Sequence, residues 1–211
     1  MDLMTPLATI APGLDSAALT ALAGTDVAMS ATQVQRAAGR GSRYGLVLVL
    51  ERLVKHGLVV AIPAARGHLY QLNREHVLAP IVVAAVRARA EVERRLAEAS
   101  SGLTPEPLSV AIFGSVARGE ATVDSDLDLL LIAGDSLDPD SDAWSEQVDE
   151  LERRGRAWTG NSLQVTTVTQ AQLAGMARAG AAIVDEWGRD ARTIAGHDAR
   201  TLVNEAGASL G

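Results

Sequence analysis

Cysteine is absent from all 211 residues. That excludes disulfides, thiolate metal centres and cysteine nucleophiles, and it fits a cytoplasmic protein. Aromatic residues make up only 3% of the chain, so a core has to be assembled from Leu, Val, Ile and Ala. Long apolar runs are missing too. The most apolar helical stretch, around Ile81 to Val86, runs into Arg87 and Arg89 and is far too short to span a bilayer. The opening Met-Asp-Leu-Met-Thr-Pro has neither a basic segment nor a long apolar one, so no signal peptide is expected. The expectation is a soluble cytoplasmic protein with no membrane partner.

What the chain does have is aliphatic bulk and an uneven charge. Apolar residues reach 47%, enough for one large or two small domains at this length. The formal net charge is −7, but it is not shared evenly. Residues 1–80 carry seven basic and five acidic groups, a net of +2, whereas residues 101–211 carry eight and eighteen, a net of −10. The acidic half would repel a nucleic acid backbone and the first half would not. Two balances suggest two jobs.

The stretch from Ala111 to Ala133 carries the chemistry. An apolar run, Leu108 to Phe113, stops at Gly114-Ser115, and a second begins at Leu127 between Asp126 and Asp128. In a strand, residues i and i+2 share a face, which places these carboxylates roughly 7 Å apart. Such a pair repels unless a cation sits between its members or one takes a proton. Oxygen-only ligands suit Mg²⁺, which takes one or two carboxylates and completes its shell with water and phosphate oxygens. The glycine turn lets an anion approach backbone N–H groups closely, and Ser115 adds a hydroxyl. Either feature alone is more often a plain turn or a solvated strand end. Together they describe a site for a metal-bound nucleoside triphosphate.

The string Gly114-Ser115-Val116-Ala117-Arg118-Gly119, followed by Ser125-Asp126-Leu127-Asp128-Leu129-Leu130, resembles the minimal nucleotidyltransferases of the DNA polymerase beta superfamily. The resemblance implies a small mixed-sheet domain in which Gly114 and Ser115 bind the triphosphate. Asp126 and Asp128 would be catalytic and would ligate Mg²⁺ or Mn²⁺. Arg118 would either contact phosphate or lock the turn. It also implies a third carboxylate on a later strand, Asn161 to Val168, where apolar alternation aligns Gln164 instead. An amide does not accept a proton from an alcohol near neutral pH. Asp124, Glu120 or Asp149, the acceptor itself or a partner chain would have to substitute.

Ahead of this domain the order helix, short strand, helix, turn, helix, hairpin is that of a winged helix-turn-helix. Gly24 and Gly39 close the first two helices, Ser30 or Thr32 caps the second, and Ser42 caps a third over Arg43 to Lys55. Leu58–Ile62 and Leu69–Leu72 read as a hairpin turning around Pro63 to Gly67. The segments Leu50 to Val59 and Gly67 to Asn73 resemble the recognition helix and wing of bacterial winged-helix repressors. That likeness implies double-stranded DNA as a partner, touched by Arg40, Arg43, Tyr44 and the wing-tip Arg66. The run Leu46 to Leu50 is apolar for a groove-reading helix, and such domains also dimerise or dock proteins. A single amphipathic helix, Ile81 to Ala99, is expected to connect the halves and offers a surface for homodimer pairing.

The fold class expected is therefore α+β, with a winged-helix domain over 1–80, a connector over 81–104 and a nucleotidyltransferase domain over 105–211. The second domain should be a mixed sheet with helices on one side. The function expected is transfer of a nucleoside monophosphate from an NTP to an acceptor. The alternative is a transcriptional regulator whose degenerate catalytic domain senses a nucleotide. A third reading, half of a toxin–antitoxin pair, rests on likeness to small family members alone.

Overall fold

The computed structural model describes residues 1–208. The chain forms two compact units, one from Met4 to Arg89 and one from Ala90 onward, with the first three residues divided between them. Among the described residues no helix is long and apolar enough to cross a membrane.

The first unit packs its helices against a small sheet. Helix α1 (Leu14–Ala23) begins at Gly13, without a side-chain cap; neither Asp15 nor Ser16 caps it, and the Ser16 hydroxyl instead donates to the Gly13 carbonyl. Strand β1 (Met29–Ser30) leads into α2 (Ala31–Ala38). There Ser30 and Gln33 form a reciprocal capping box, and Gly39 at φ 65° ends the helix. Helix α3 (Arg43–Lys55) is capped by Ser42, whose hydroxyl accepts from the Gly45 N–H at 3.0 Å. Its apolar run resolves into a helical stripe, with Leu46, Leu50 and Leu53 buried and Tyr44 and Leu48 exposed.

Strands β2 (Val59–Ala64) and β3 (Gly67–Leu72) pair antiparallel, in a sheet ordered β1-β3-β2. The expected turn shrinks to Ala65-Arg66, because Pro63 lies within β2 and pairs with His68. Proline is tolerated there because β2 is an edge strand, with no ladder bond required on one side. Leu22, Val34, Leu46, Leu50, Tyr70, Leu72 and Val82 share one core.

The single helix expected from Ile81 to Ala99 is two. Helix α4 (Ala79–Val86) carries Pro80 in its first turn, where its missing N–H costs nothing, and α5 (Ala88–Ser101) follows a break at Arg87.

The second unit is a four-stranded sheet ordered β6-β5-β4-β7. Strand β4 (Ser109–Phe113) runs antiparallel to β5 (Leu127–Ala133) and to β7 (Arg192–Gly196), while β6 (Leu163–Thr169) runs parallel to β5. Between β4 and β5 lies the short α6 (Gly114–Arg118). Helix α7 (Asp142–Thr159) makes the parallel crossover to β6, and α8 (Gln170–Arg178), α9 (Ala182–Asp190) and α10 (Ala199–Ala208) complete the unit.

Helices cover both faces of this sheet rather than the one expected. Ala111, Phe113, Leu130, Ile132 and Val168 pack with Leu173, Val184, Trp187 and Val203 of α8, α9 and α10. The alternate residues face α7: the Trp144 indole donates to Thr167 at 3.1 Å, and Gly155 lies against Leu163. A strand with apolar side chains on both faces needs two covers, and β5 is Leu or Ile at every position from Leu129 to Ile132.

Candidate functional site

Strand β5 sits inside its sheet, so both flanks of Asp128 are fixed. Asp128 pairs with Phe113 of β4 on one side and with Gln164 of β6 on the other. Asp126 stands just before the strand and is exposed, while Asp128 is half-buried. Burial, then the charges of Asp126 and Glu186, push the Asp128 carboxyl above its ordinary range, and Arg118 partly offsets them.

Gly114 follows Phe113 directly, at φ 68°. A Cβ built on it would collide with Asp128 Oδ2. The glycine is thus required twice, once for a backbone that L residues rarely adopt and once for the approach of the carboxylate. Ser115 is half-buried in the first turn of α6, and its hydroxyl has no hydrogen bond among the described residues. Gly119, at φ 77°, ends α6 and turns the chain toward Asp126.

Asn161 shapes the approach to the carboxylates, a role its sequence context did not reveal. It is 5% exposed, and its amide donates to the carbonyls of Val123 at 3.1 Å and Ser125 at 2.9 Å. The Leu127 N–H donates to the Ser162 carbonyl at 2.9 Å. Together these bonds pin the loop that delivers Asp126 to the start of β6.

Arg118 is committed. It donates to Glu120 at 2.9 Å, to Glu186 at 3.2 Å and to Asp190 at 2.8 Å. Glu186 and Asp190 lie one turn apart on α9, a spacing visible in the sequence, but nothing local tied them to Arg118. Gly114, Ser115, Asp126 and Asp128 therefore come together on adjoining elements with Gln164 alongside. Asp124 is exposed in the loop before Asp126, and Asp149 lies on α7. Among the described residues, no group of three or more His, Cys, Asp or Glu is placed to hold a metal ion.

The basic candidates of the first unit are placed differently from one another. Arg43 and Tyr44 open α3, both exposed, Tyr44 at 73%. Arg66 is exposed at the tip of the β2–β3 turn. Arg40, although exposed, turns inward: it donates to the Gly13 carbonyl and to Ser16 Oγ, each at 2.8 Å.

Residues 91–159 match the family model described as "Nucleotidyltransferase domain", about a third of the chain. No curated protein matches the chain. Two solved structures are similar at low identity. One, described as "Crystal structure of the toxin-antitoxin with AMP-PNP", is 15% identical with a TM-score of 0.41, covering 56% of this chain and 85% of the other. The other, of a mutant toxin-antitoxin MntA-HpeT, is 12% identical with a TM-score of 0.40, covering 56% and 84%.

Proposed function

We propose that the second unit transfers a nucleoside monophosphate from a nucleoside triphosphate to an acceptor, with a divalent cation held by Asp126 and Asp128. The observation that carries this reading is the fit of Gly114 against Asp128: the carboxylate oxygen Oδ2 occupies the place a methyl group would take, so the glycine turn and the carboxylate meet directly. The donor set suits the group: two carboxylates supply oxygen only, as Mg²⁺ or Mn²⁺ requires. Asp128 is also a carboxylate whose ionisation is disfavoured by burial and by Asp126, so a cation there relieves a repulsion already present. A bound cation would neutralise the charge that develops on the leaving pyrophosphate.

The chain's own residues account for the remaining parts. The Gly114 and Ser115 amides and the Ser115 hydroxyl hold phosphate oxygens, which lie beside the carboxylate pair in this reading. Asn161 keeps the loop before Asp126 from drifting, so the carboxylates meet the triphosphate in one arrangement. Gln164 stands beside Asp128 where a base would be convenient, and its amide takes no proton. The proton of an attacking hydroxyl therefore passes to another carboxylate or to the acceptor's own base.

That same glutamine supports a second reading, a regulator that binds a nucleotide without turning it over. The first unit fits either reading as a winged helix that docks on double-stranded DNA. Arg43, Tyr44 and Arg66 are the side chains available to touch it, while Arg40 serves the start of α1.

The deciding experiment is incubation with α-labelled ATP, GTP, CTP and UTP plus Mg²⁺ or Mn²⁺ in cell lysate, beside Asp126→Ala/Asp128→Ala. Label that enters protein, RNA or small molecules only with the wild type establishes transfer and names the acceptor class. Aspartate-dependent nucleotide binding without label sinks the transferase reading and leaves the regulator.

A further inference from the structure

Among the described residues of the second unit Asp190 is the one buried Asp or Glu, with its side chain 6% exposed, and the transfer chemistry gives it no task. Two guanidiniums hold it. Arg189 donates at 2.9 and 3.3 Å, and Arg118 at 2.8 Å. Arg118 in turn meets Glu186 and Glu120, so its one positive charge faces three carboxylates carried by α9 and by the segment that follows α6.

A guanidinium has five N–H donors in a rigid fork, well suited to joining several acceptors at fixed angles. Arg118 uses its Nε toward Glu120 and its Nη1 toward both Glu186 and Asp190. It is the last residue of α6, the helix that opens with Gly114 and Ser115. From the same helix, Trp187 meets Phe113 edge to face at 6.1 Å. Helix α9 therefore grips the Gly-Ser corner from both ends, through a ring contact at Phe113 and through an ion cluster at Arg118. A phosphate arriving at Arg118 would have to displace carboxylates, one of them nearly buried, and would meet net negative charge.

The geometry points to Asp190, with Glu186, as positioning residues for the nucleotide site: they hold Arg118 as a strut that fixes α6, and Arg118 does not ligate phosphate. This rests on reading the Gly114–Asp128 site as a nucleotide pocket. It makes opposite predictions from a ligand role. If Arg118 contacts phosphate, weakening its carboxylate partners frees it and tightens nucleotide binding. If it is a strut, weakening them harms binding just as removing Arg118 does.

The test measures binding of ATP with Mg²⁺ by calorimetry to the wild type, Arg118→Ala, Asp190→Asn and the double variant. Hydrogen exchange over 111–119 and over 163–169 is followed without nucleotide. The strut predicts several-fold weaker binding, up to about tenfold, in each single variant. The double variant should be no worse than the weaker single, since both changes cut one connection. Exchange should quicken over 111–119 and stay unchanged over 163–169. Tighter ATP binding by Asp190→Asn beside weaker binding by Arg118→Ala overturns the proposal. If the wild type binds no nucleotide, the nucleotide-pocket reading fails, and exchange over 111–119 decides the strut alone: no change there overturns it. Should Asp190→Asn fail to fold, the half-exposed Glu186→Gln takes its place with the same expectations.

Discussion

Replacing Gly114 by alanine perturbs the site by one methyl group, and its cost separates into two parts. The first is conformational: at φ 68° an L residue pays roughly 1–2 kcal/mol. The second is steric, because the new Cβ would collide with Asp128 Oδ2. A carboxylate terminus can rotate away, so this part costs little stability and a great deal of function. Gly119 supplies the control. It has φ 77° and nothing within 4 Å of an added Cβ, so Gly119→Ala pays the conformational cost alone. Both variants should melt lower by about 5 °C. Only Gly114→Ala should lose binding of Mg²⁺ with ATP, by calorimetry. In an Asp128→Ala background the clash disappears, and Gly114→Ala should then cost the same as Gly119→Ala. Nucleotide binding by Gly114→Ala at wild-type affinity would refute the reasoning, since the close approach of Asp128 to Gly114 would then play no part in binding.

Three further outcomes are expected. Asp128 has a raised carboxyl, so the folded protein binds that proton more tightly than the unfolded chain does. Its contribution to stability is full below the ordinary value of 3.8 and is lost as pH rises through the raised one. Metal-free Asp128→Asn should therefore melt higher than the wild type at neutral pH and at about the same temperature in acid, read from melting curves across pH. Asn161→Ala removes two donors from the Val123 and Ser125 carbonyls and should cost about 1–3 kcal/mol in urea unfolding, with weaker Mg²⁺-dependent nucleotide binding. If the first unit docks on DNA, Arg43→Ala and Arg66→Ala should each weaken binding to all sequences and lower the salt slope by about 1 in fluorescence titrations, while Arg40→Ala acts mainly on stability.

Much of this architecture was legible because local chemistry and tertiary packing agree. Ser42 begins α3, the Ser30 box begins α2, and the Gly-Ser and Asp-x-Asp segments fall at strand ends as their apolar flanks require. The failures have a common source in distance. The break at Arg87 has no glycine or proline to announce it; it falls where Ala79 and Val82 join the first unit's core and residues from Ala90 join the second unit. The unbroken Leu and Ile run of β5 asks for a cover on each face, but which helices supply the two covers is set by residues distant in sequence. Asn161 reaches a loop 38 residues away, and Asp190 reaches an arginine 72 residues away. No window of local periodicity spans such separations.

Pro63 has a consequence for the protein in crowded surroundings. Strand β2 is an edge, and its outward Val60 and Ile62 are 43% and 38% exposed. An apolar edge with free N–H groups is a template on which another molecule's strand can grow. Proline contributes no N–H, so a foreign strand that pairs beside Val60 and Ile62 finds its ladder interrupted at the next residue. The hairpin can thus expose an apolar edge without becoming the seed of an aggregate.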